Sequence, residues 1–260
     1  MSKKKRLDVA VLERGLAHSR HKAQGMIMAG EVCVNGKQVD KPGTRVTAED
    51  ELTIRNKPRF VSRGGEKLAG ALDDFQLDVR DKICADVGAS TGGFTDCLLQ
   101  NGAQRVYAID VGYGQLDYRL RQDERVVVME RTNARYVETL DESVNFVVVD
   151  ASFISLRLLL PPIKGWLTPI ADVITLIKPQ FEAGKNDVGK GGVVRDSDIH
   201  RRVIEDVTTF AETQGFTVSG LTVSPIKGPA GNIEFLAWLQ IGQDSPHVDI
   251  PQLIESLITD

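Results

Sequence analysis

Apolar and polar positions follow two different rhythms along this chain. In the N-terminal fifth, short apolar clusters are separated by polar turns. Leu7, Val9, Ala10, Val11 and Leu12 outline an amphipathic helix stopped by Gly15. A second helix runs from Ser19, a suitable N-cap, through Met28 to Gly30. Short β-prone runs follow: Val32-Cys33-Val34, the Asn35-Gly36 turn, Val39 and Leu52-Thr53-Ile54. This is the pattern of a small α+β module. The charged, proline-bearing Arg55-Asn56-Lys57-Pro58-Arg59 reads as a linker, which sets expected domains at 1–59 and 60–260.

From residue 64 the rhythm changes. A helix over 66–75 precedes continuous apolar runs at 83–87, 105–109, 126–129, 146–149 and 173–177, with helical stretches between them. Unbroken apolar strands alternating with helices predict a parallel sheet covered on both faces. After a helix over 198–213, two strands at 216–223 and 233–241 follow with no helix between them. The expected fold is therefore α/β and Rossmann-like, with a mostly parallel seven-stranded sheet ending in an antiparallel hairpin.

Composition refines this picture only in places. At 260 residues the chain can hold one large domain and one small one. No apolar run approaches the ~18–20 residues needed to cross a bilayer, and no apolar signal segment follows the basic start, so a cytoplasmic protein is expected. Cys33, Cys84 and Cys97 stand apart from one another and from any His pair, which argues against disulfides and a metal site. The net charge of −4 hides an asymmetry. Residues 1–67 carry 15 Lys and Arg against 8 Asp and Glu, while the remainder carries 17 against 28. A basic end on an acidic body points to a polyanionic partner for the first segment.

Candidate chemistry begins at the turn after the first long strand, Ala85-Asp86-Val87-Gly88-Ala89-Ser90-Thr91-Gly92-Gly93-Phe94. Its glycines allow a tight turn and close approach of a ligand to a helix N-terminus. The spacing is GxxxGG rather than the GxGxxG of dinucleotide folds. Asp86 at its head suits a cationic group, such as the methionyl end of S-adenosylmethionine, better than a pyrophosphate. Asp110 ends the next strand, where a carboxylate can accept from ribose hydroxyls. Asp86, Gly88, Ser90, Thr91, Gly92, Gly93, Phe94 and Asp110 are thus the expected S-adenosyl-L-methionine contacts, and no metal is expected.

Four charges stand where an open α/β sheet presents its ligands or close by. Asp150 ends the fourth strand, Lys178 ends the fifth, Glu234 opens the last, and Lys67 lies in the helix before the first. Together they resemble the K-D-K-E tetrad of the FtsJ-type (RrmJ-like) ribose 2′-O-methyltransferases, whose class I methyltransferase sheet also ends in a hairpin. The whole chain resembles the TlyA family, an S4 RNA-binding domain followed by such a methyltransferase. The segments that carry the likeness are Gly15-Leu16-Ala17-His18-Ser19-Arg20, Val34-Asn35-Gly36, Val61-Ser62-Arg63-Gly64-Gly65-Glu66-Lys67-Leu68, the 86–94 turn, Leu176-Ile177-Lys178-Pro179-Gln180-Phe181 and Gly231-Asn232-Ile233-Glu234. Members of that family often carry the label hemolysin. The resemblance implies methylation of cytidine 2′-hydroxyls in ribosomal RNA, with ribosomal subunits as partners. The residue chemistry agrees: a 2′-hydroxyl must lose its proton as the methyl group arrives. Lys178 is the expected base, Lys67 a second ammonium that lowers its proton affinity, and Asp150 and Glu234 the groups that orient both lysines.

Arg14, Ser19, Arg20, Lys22, Lys37 and Lys41 are the expected RNA contacts of the S4-like module, with His18 and His21 as ordinary surface residues. The glycine-rich segment 184–195 is expected to be a mobile loop beside the substrate. Three rivals are weaker. A pseudouridine synthase needs an Arg-Leu-Asp catalytic segment, and Gln115-Leu116-Asp117 lacks the arginine. A non-catalytic RNA-binding scaffold would have no use for Asp86, Asp110 and an intact tetrad. A membrane-lytic protein would want a spanning or strongly cationic amphipathic helix.

Overall fold

The alternation of side chains along the long strands builds two cores on the two faces of one sheet. In a computed structural model, residues 4–54, 58–242 and 248–258 are described. Residues 55–57 of the expected linker and residues 1–3 of the basic start lie outside them. The chain divides into two units, Met1–Pro58 and Arg59–Asp260.

The first unit runs β1 (Lys5–Arg6), α1 (Leu7–Glu13), α2 (Arg20–Met28), β2 (Val32–Val34), β3 (Lys37–Gln38), β4 (Arg45–Val46) and β5 (Leu52–Ile54). Strand β2 sits between β3 and β5 in an antiparallel sheet, and β1 pairs with β4. Leu7, Val11, Ala23, Ile27 and Val32 form its buried centre. Ser19 caps α2 by accepting from the Lys22 N–H at 3.2 Å. Asn35 and Gly36, at φ +51° and +75°, make the tight turn from β2 to β3 that their sequence predicts.

One carboxylate organises this unit. Asp8 is fully buried, and it accepts from Arg6 Nε at 3.0 Å, Arg20 Nε at 3.0 Å and Gln24 Nε2 at 2.8 Å. The Arg6 hydrogen bond, opposed by burial and helped by Gln24 and Arg20, holds the Asp8 carboxyl well below the usual carboxylate range. An Arg-Leu-Asp segment therefore does exist, as Arg6-Leu7-Asp8, contrary to the sequence expectation. Its aspartate is sealed and tied to two guanidiniums, so it cannot act on a base.

The second unit runs α3 (Gly64–Asp74), β6 (Ile83–Val87), α4 (Gly93–Gln100), β7 (Arg105–Ile109), α5 (Tyr118–Arg121), β8 (Val126–Met129), β9 (Val144–Val149), α6 (Leu160–Trp166), β10 (Leu167–Ile177), α7 (Pro179–Glu182), α8 (Ser197–Thr213), β11 (Thr217–Val223), β12 (Phe235–Ile241) and α9 (Ile250–Ile258). Its sheet order is β11-β12-β10-β9-β6-β7-β8. Strand β12 is antiparallel to both β10 and β11, and the remaining pairings are parallel. The expected terminal hairpin is therefore present. Tyr107, Ile109, Val147, Val149, Val173 and Ile177 face one core, with α6 and α8. Val106, Ala108, Phe146, Val148, Ile174 and Leu176 face the other, with α3 and α4.

The differences from the sequence pattern have local causes. Strand β10 begins at Leu167, six residues before the run expected at 173–177, because its first four residues are partly or fully exposed and its pairing with β9 shifts register. Helix α6 carries prolines in its first turn, where a missing N–H costs nothing. Burial pushes the Cys84 and Cys97 thiols up to about 12, which fits packing rather than reactivity.

Asp8→Asn would place an amide donor among guanidinium donors. The expected cost to the first unit is about 2 kcal/mol, read as faster hydrogen exchange across α1 than in wild type. Because the folded-state pKa of Asp8 is depressed, its stabilisation is fully present above the unfolded value of ~3.9 and is lost as pH falls below it. The gap between variant and wild type should therefore shrink toward acid pH. Equal protection of α1 at neutral pH would refute this role.

Candidate functional site

The parallel strands end together, and the loops beyond their carboxyl ends enclose two adjoining cavities. The first, of about 670 Å³, is lined by Lys67, Asp150, Lys178 and Glu234, with Ser62, Phe94, Phe153, Phe181 and Asn232 among its other walls. The second, of about 740 Å³, is lined by Asp110, Gln115, Thr132, Asn133 and Arg135 among others. Gly88, Ser90, Asp150, Ser152 and Phe153 belong to both walls. Both volumes suit small-molecule sites of about 300–1,000 Å³.

The four sequence-predicted charges meet in the first cavity as two ion pairs. Lys67 Nζ lies 2.5 Å from Glu234 Oε2, and Lys178 Nζ lies 2.6 Å from Asp150 Oδ1. Lys178 also donates to Ser152 Oγ at 3.0 Å and to the Asp150 carbonyl at 3.3 Å. Gln180 Nε2 donates to the other Glu234 oxygen at 3.2 Å. Lys67, Lys178 and Glu234 are buried, while Asp150 is partly open. Each lysine thus has its own carboxylate, a division that spacing alone did not determine.

The glycine turn is shaped by what its side chains lack. Gly88 has φ +87°, and a Cβ there would stand 2.8 Å from the Asp150 carbonyl oxygen. A Cβ on Gly93 would meet Ser62 Oγ at 2.3 Å and the Gly65 nitrogen at 2.8 Å. So the turn lies directly against the end of β9, and α4 starts directly against the start of α3. Gly88, Ser90, Thr91, Gly93 and Phe94 line the first cavity; Gly92, the left-handed residue that caps α4, lines neither.

Asp86 and Asp110 do different work. Asp86 is fully buried behind the turn and lines neither cavity. Its Oδ2 accepts from Thr95 N at 2.8 Å and Thr95 Oγ1 at 2.6 Å, while Oδ1 has no hydrogen-bond partner. Burial, reinforced by Asp150 and Asp110 and opposed by the Thr95 bonds, pushes its pKa up to about 7. Asp110 stands in the second cavity, where its two oxygens accept from Ser90 N at 2.8 Å and Gly112 N at 2.6 Å.

Several residues of the site escaped the sequence reading. Phe153 is 90% exposed at φ +62°, and its ring lies 4.9 Å from that of Phe181. A bulky residue in that conformation is strained, and such strain clusters at functional positions. Glu182 accepts from Ser155 Oγ and Leu156 N, both at 2.7 Å, so it ties α7 to the loop that carries Phe153. The segment 184–195, expected to be mobile, contains a Gly189–Val193 bridge and is held by Asn232.

In the first unit, Lys22, Lys37 and Lys41 are exposed and form no ion pair among the described residues. Arg14 instead donates to the carbonyls of Asp50, Thr47 and Ala48 at 2.6, 3.0 and 3.2 Å, and Arg20 is held by Asp8. Among the described residues, no helix is long and apolar enough to cross a membrane, and no cluster of three or more His, Cys, Asp or Glu could hold a metal.

Comparison with known proteins agrees with this architecture. A model of the FtsJ-like methyltransferase family matches residues 60–241, and one of the S4 domain matches residues 5–52. The chain is 46% identical to the 16S/23S rRNA (cytidine-2′-O)-methyltransferase TlyA of Mycobacterium tuberculosis, over 94% of this chain and 92% of that protein. It is 45% identical to hemolysin A of Brachyspira hyodysenteriae, over 89% of this chain and 98% of that one. A solved structure from Streptococcus thermophilus that bears the hemolysin label superposes with TM-score 0.76 at 48% identity, covering 100% of this chain and 96% of that one. With an S4 domain ahead of an FtsJ-like methyltransferase domain, and with such identity along nearly its whole length, the chain belongs to the TlyA family.

Proposed function

We propose that this protein transfers a methyl group from S-adenosylmethionine to the 2′-hydroxyl of a cytidine in ribosomal RNA. The observation that carries this is the pair of ion pairs, Lys178–Asp150 and Lys67–Glu234, lining one cavity that shares a wall with the cavity holding Asp110. The activity named for the M. tuberculosis relative is the one this arrangement suits.

The second cavity fits the cofactor. Gly88 leaves a cradle that a Cβ would fill, Asp110 offers carboxylate oxygens to ribose hydroxyls, and Ser90 offers a hydroxyl beside it. Thr91, Gly93 and Phe94, on the wall of the first cavity, flank the same turn. Asp86 and Gly92 serve by fixing that turn from behind. Bound there, S-adenosylmethionine supplies a sulfonium-activated methyl group.

The first cavity receives the ribose. Lys178 removes the 2′-hydroxyl proton as the oxygen attacks. To do so its ammonium first releases to solvent the proton it directs most weakly, the one on the Asp150 carbonyl at 3.3 Å; the lone pair left behind takes the hydroxyl proton, while the donations to Asp150 Oδ1 and Ser152 Oγ persist. Asp150 fixes the direction of Lys178, and Glu234 does the same for Lys67 while Gln180 steadies the carboxylate. The Phe153–Phe181 pair at the rim offers aromatic faces to bases. The S4 unit holds structured RNA through phosphates with Lys22, Lys37, Lys41 and Arg20; Ser19 contributes by capping the helix, and Arg14 by pinning the 47–50 turn.

Neither a scaffold without catalysis nor a lytic protein accounts for two buried ion pairs opening on one cavity. The test supplies labelled S-adenosylmethionine and unmodified ribosomal subunits and maps ribose methylation. Label on protein or free base, with none on ribose, would overturn the proposal. Lys178→Ala should lower methyl transfer by about 10²–10⁴-fold, with calorimetric cofactor affinity nearly intact; undiminished turnover would remove Lys178 from the role of base. Asp110→Ala should do the converse, weakening cofactor binding by about 10–100-fold through the loss of charge-assisted hydrogen bonds. An unchanged cofactor titration in that variant would move the cofactor out of the second cavity.

A further inference from the structure

We infer that Asn232 is a positioning residue, one that holds the glycine-rich segment 184–195 as a preformed wall of the acceptor cavity. What that cavity receives rests on the methyl-transfer reading above. Asn232 is 2% exposed, and its carboxamide bonds twice to one stretch of backbone. Oδ1 accepts from the Val194 N–H at 2.9 Å, and Nδ2 donates to the Gly192 carbonyl at 2.9 Å. Accepting from one residue and donating to the residue two before it is the bonding pattern of a neighbouring parallel strand. A single side chain therefore fixes the register of residues 192–194.

Elsewhere the segment is tied by the Arg202–Asp187 ion pair and by burial of Val193 and Val194, but its glycine stretch has little of its own to hold it. It contains four glycines, at 184, 189, 191 and 192. Gly191 and Gly192 have φ +80° and +75°, and a Cβ on either would meet no atom within 4 Å. Ordering such residues costs more backbone entropy than ordering any others, and no local packing offsets it. The constraint comes from outside the segment. Asn232 takes the Val194 N–H, and the buried His200 imidazole lies 3.2 Å from the Val194 carbonyl on its other side. The segment itself folds back through the Gly189 N–H to Val193 carbonyl bond at 3.1 Å.

The consequence falls on one cavity only. Val188, Gly191 and Gly192 line the acceptor cavity, and no residue of the segment lines the cavity assigned to the cofactor. Without the bracket, the segment adopts its closed register only part of the time. Apparent affinity for the acceptor then falls in proportion to the closed fraction, while cofactor affinity does not. Asn232 also lies two residues ahead of Glu234, so the wall is linked to the Lys67–Glu234 pair through a single intervening residue.

The test uses the full chain with Asn232→Leu, which keeps the size and removes both bonds. Asn232→Asp, which keeps the acceptor for Val194 and loses the donor to Gly192, is run beside it. Hydrogen exchange across 184–195, calorimetric titration with S-adenosylmethionine and steady-state methylation of ribosomal subunits are measured on each. In the leucine variant exchange should quicken, and KM for RNA should rise about tenfold if the closed fraction falls to a tenth. Cofactor affinity should stay nearly unchanged, and the aspartate variant should lie between. Unchanged exchange, an unchanged KM despite faster exchange, a loss confined to kcat, or cofactor affinity that falls in step with RNA would each overturn the inference. Should the leucine variant lose protection in β6 and β9, and so fail to fold, the aspartate variant decides by the same criteria. A wild-type chain that methylates nothing sinks the proposed function instead, and the exchange measurement still judges the bracket.

Discussion

The close approach of two backbones, the turn after β6 and the end of β9, is the constraint on which the site depends. Asp150 N donates to the Val87 carbonyl at 2.9 Å, and Gly88 lies so near that a methyl group on it would strike the Asp150 carbonyl. The register that pairs Val87 with Val149 in the parallel sheet sets this contact. Because of it, Gly88, Ser90 and Asp150 form walls of both cavities. Groups that react must come within about 3–3.5 Å of each other. A shift of the turn by the width of one methyl group would open that distance. The strands thus do more than carry side chains: their register decides whether two binding spaces can share one reaction.

Burying two ammoniums and two carboxylates is costly, and their mutual attraction offsets only part of that cost. Comparison with another buried pair shows what distinguishes the site. Lys82 and Asp172, 2.8 Å apart near the opposite ends of the strands, are also partly or wholly buried. There Trp238 and Gln240 both donate to the second Asp172 oxygen at 3.0 Å, so both carboxylate oxygens are bonded, and the pair borders neither of the two cavities. The Lys67, Asp150, Lys178 and Glu234 set is paired yet faces open space. Stability would be served equally well by apolar residues in those positions. Retaining charge beside a cavity makes sense as chemistry.

Much of this was legible in the sequence, for physical reasons that differ by residue. The β-branched runs of β6, β7, β9 and β10 announce buried parallel strands, and a charge that ends such a run must lie at the ligand edge. That logic found Asp110, Asp150 and Lys178. Asp86 stands one position inside the strand end. With its period of two, β6 turns Asp86 toward the α3 and α4 face along with Cys84, so its carboxylate meets Thr95 and lines neither cavity. The alternation held that information. Phe153 carried no such signal, since its exposure and left-handed backbone arise from the loop's tertiary setting. Arg14 looked free because its three carbonyl partners lie more than 30 residues away. The segment 184–195 looked mobile because its glycines are local and its restraint, Asn232, is 38 residues from Val194. Local composition reports the entropy a segment must lose, not the long-range bond that overcomes it.

The distribution of charge gives the two units complementary parts in the proposed reaction. Residues 1–67 carry the excess of cations and the remainder the excess of anions. In the first unit Asp8 draws Arg6 and Arg20 together, while Lys22, Lys37 and Lys41 form no ion pair among the described residues, which under the proposed reaction leaves them to phosphate with little regard for sequence. The acidic second unit repels phosphate at long range, so RNA gains little by resting against it indiscriminately. A nucleotide that enters its cavity must be held by shape, by the Phe153–Phe181 faces and by the two ion pairs. Affinity and selection are then separated: one unit supplies attraction, and the other rejects whatever does not fit. This is specificity through a built-in repulsive term as well as an attractive one. It explains how an enzyme acting on a polyanion can carry a net negative charge.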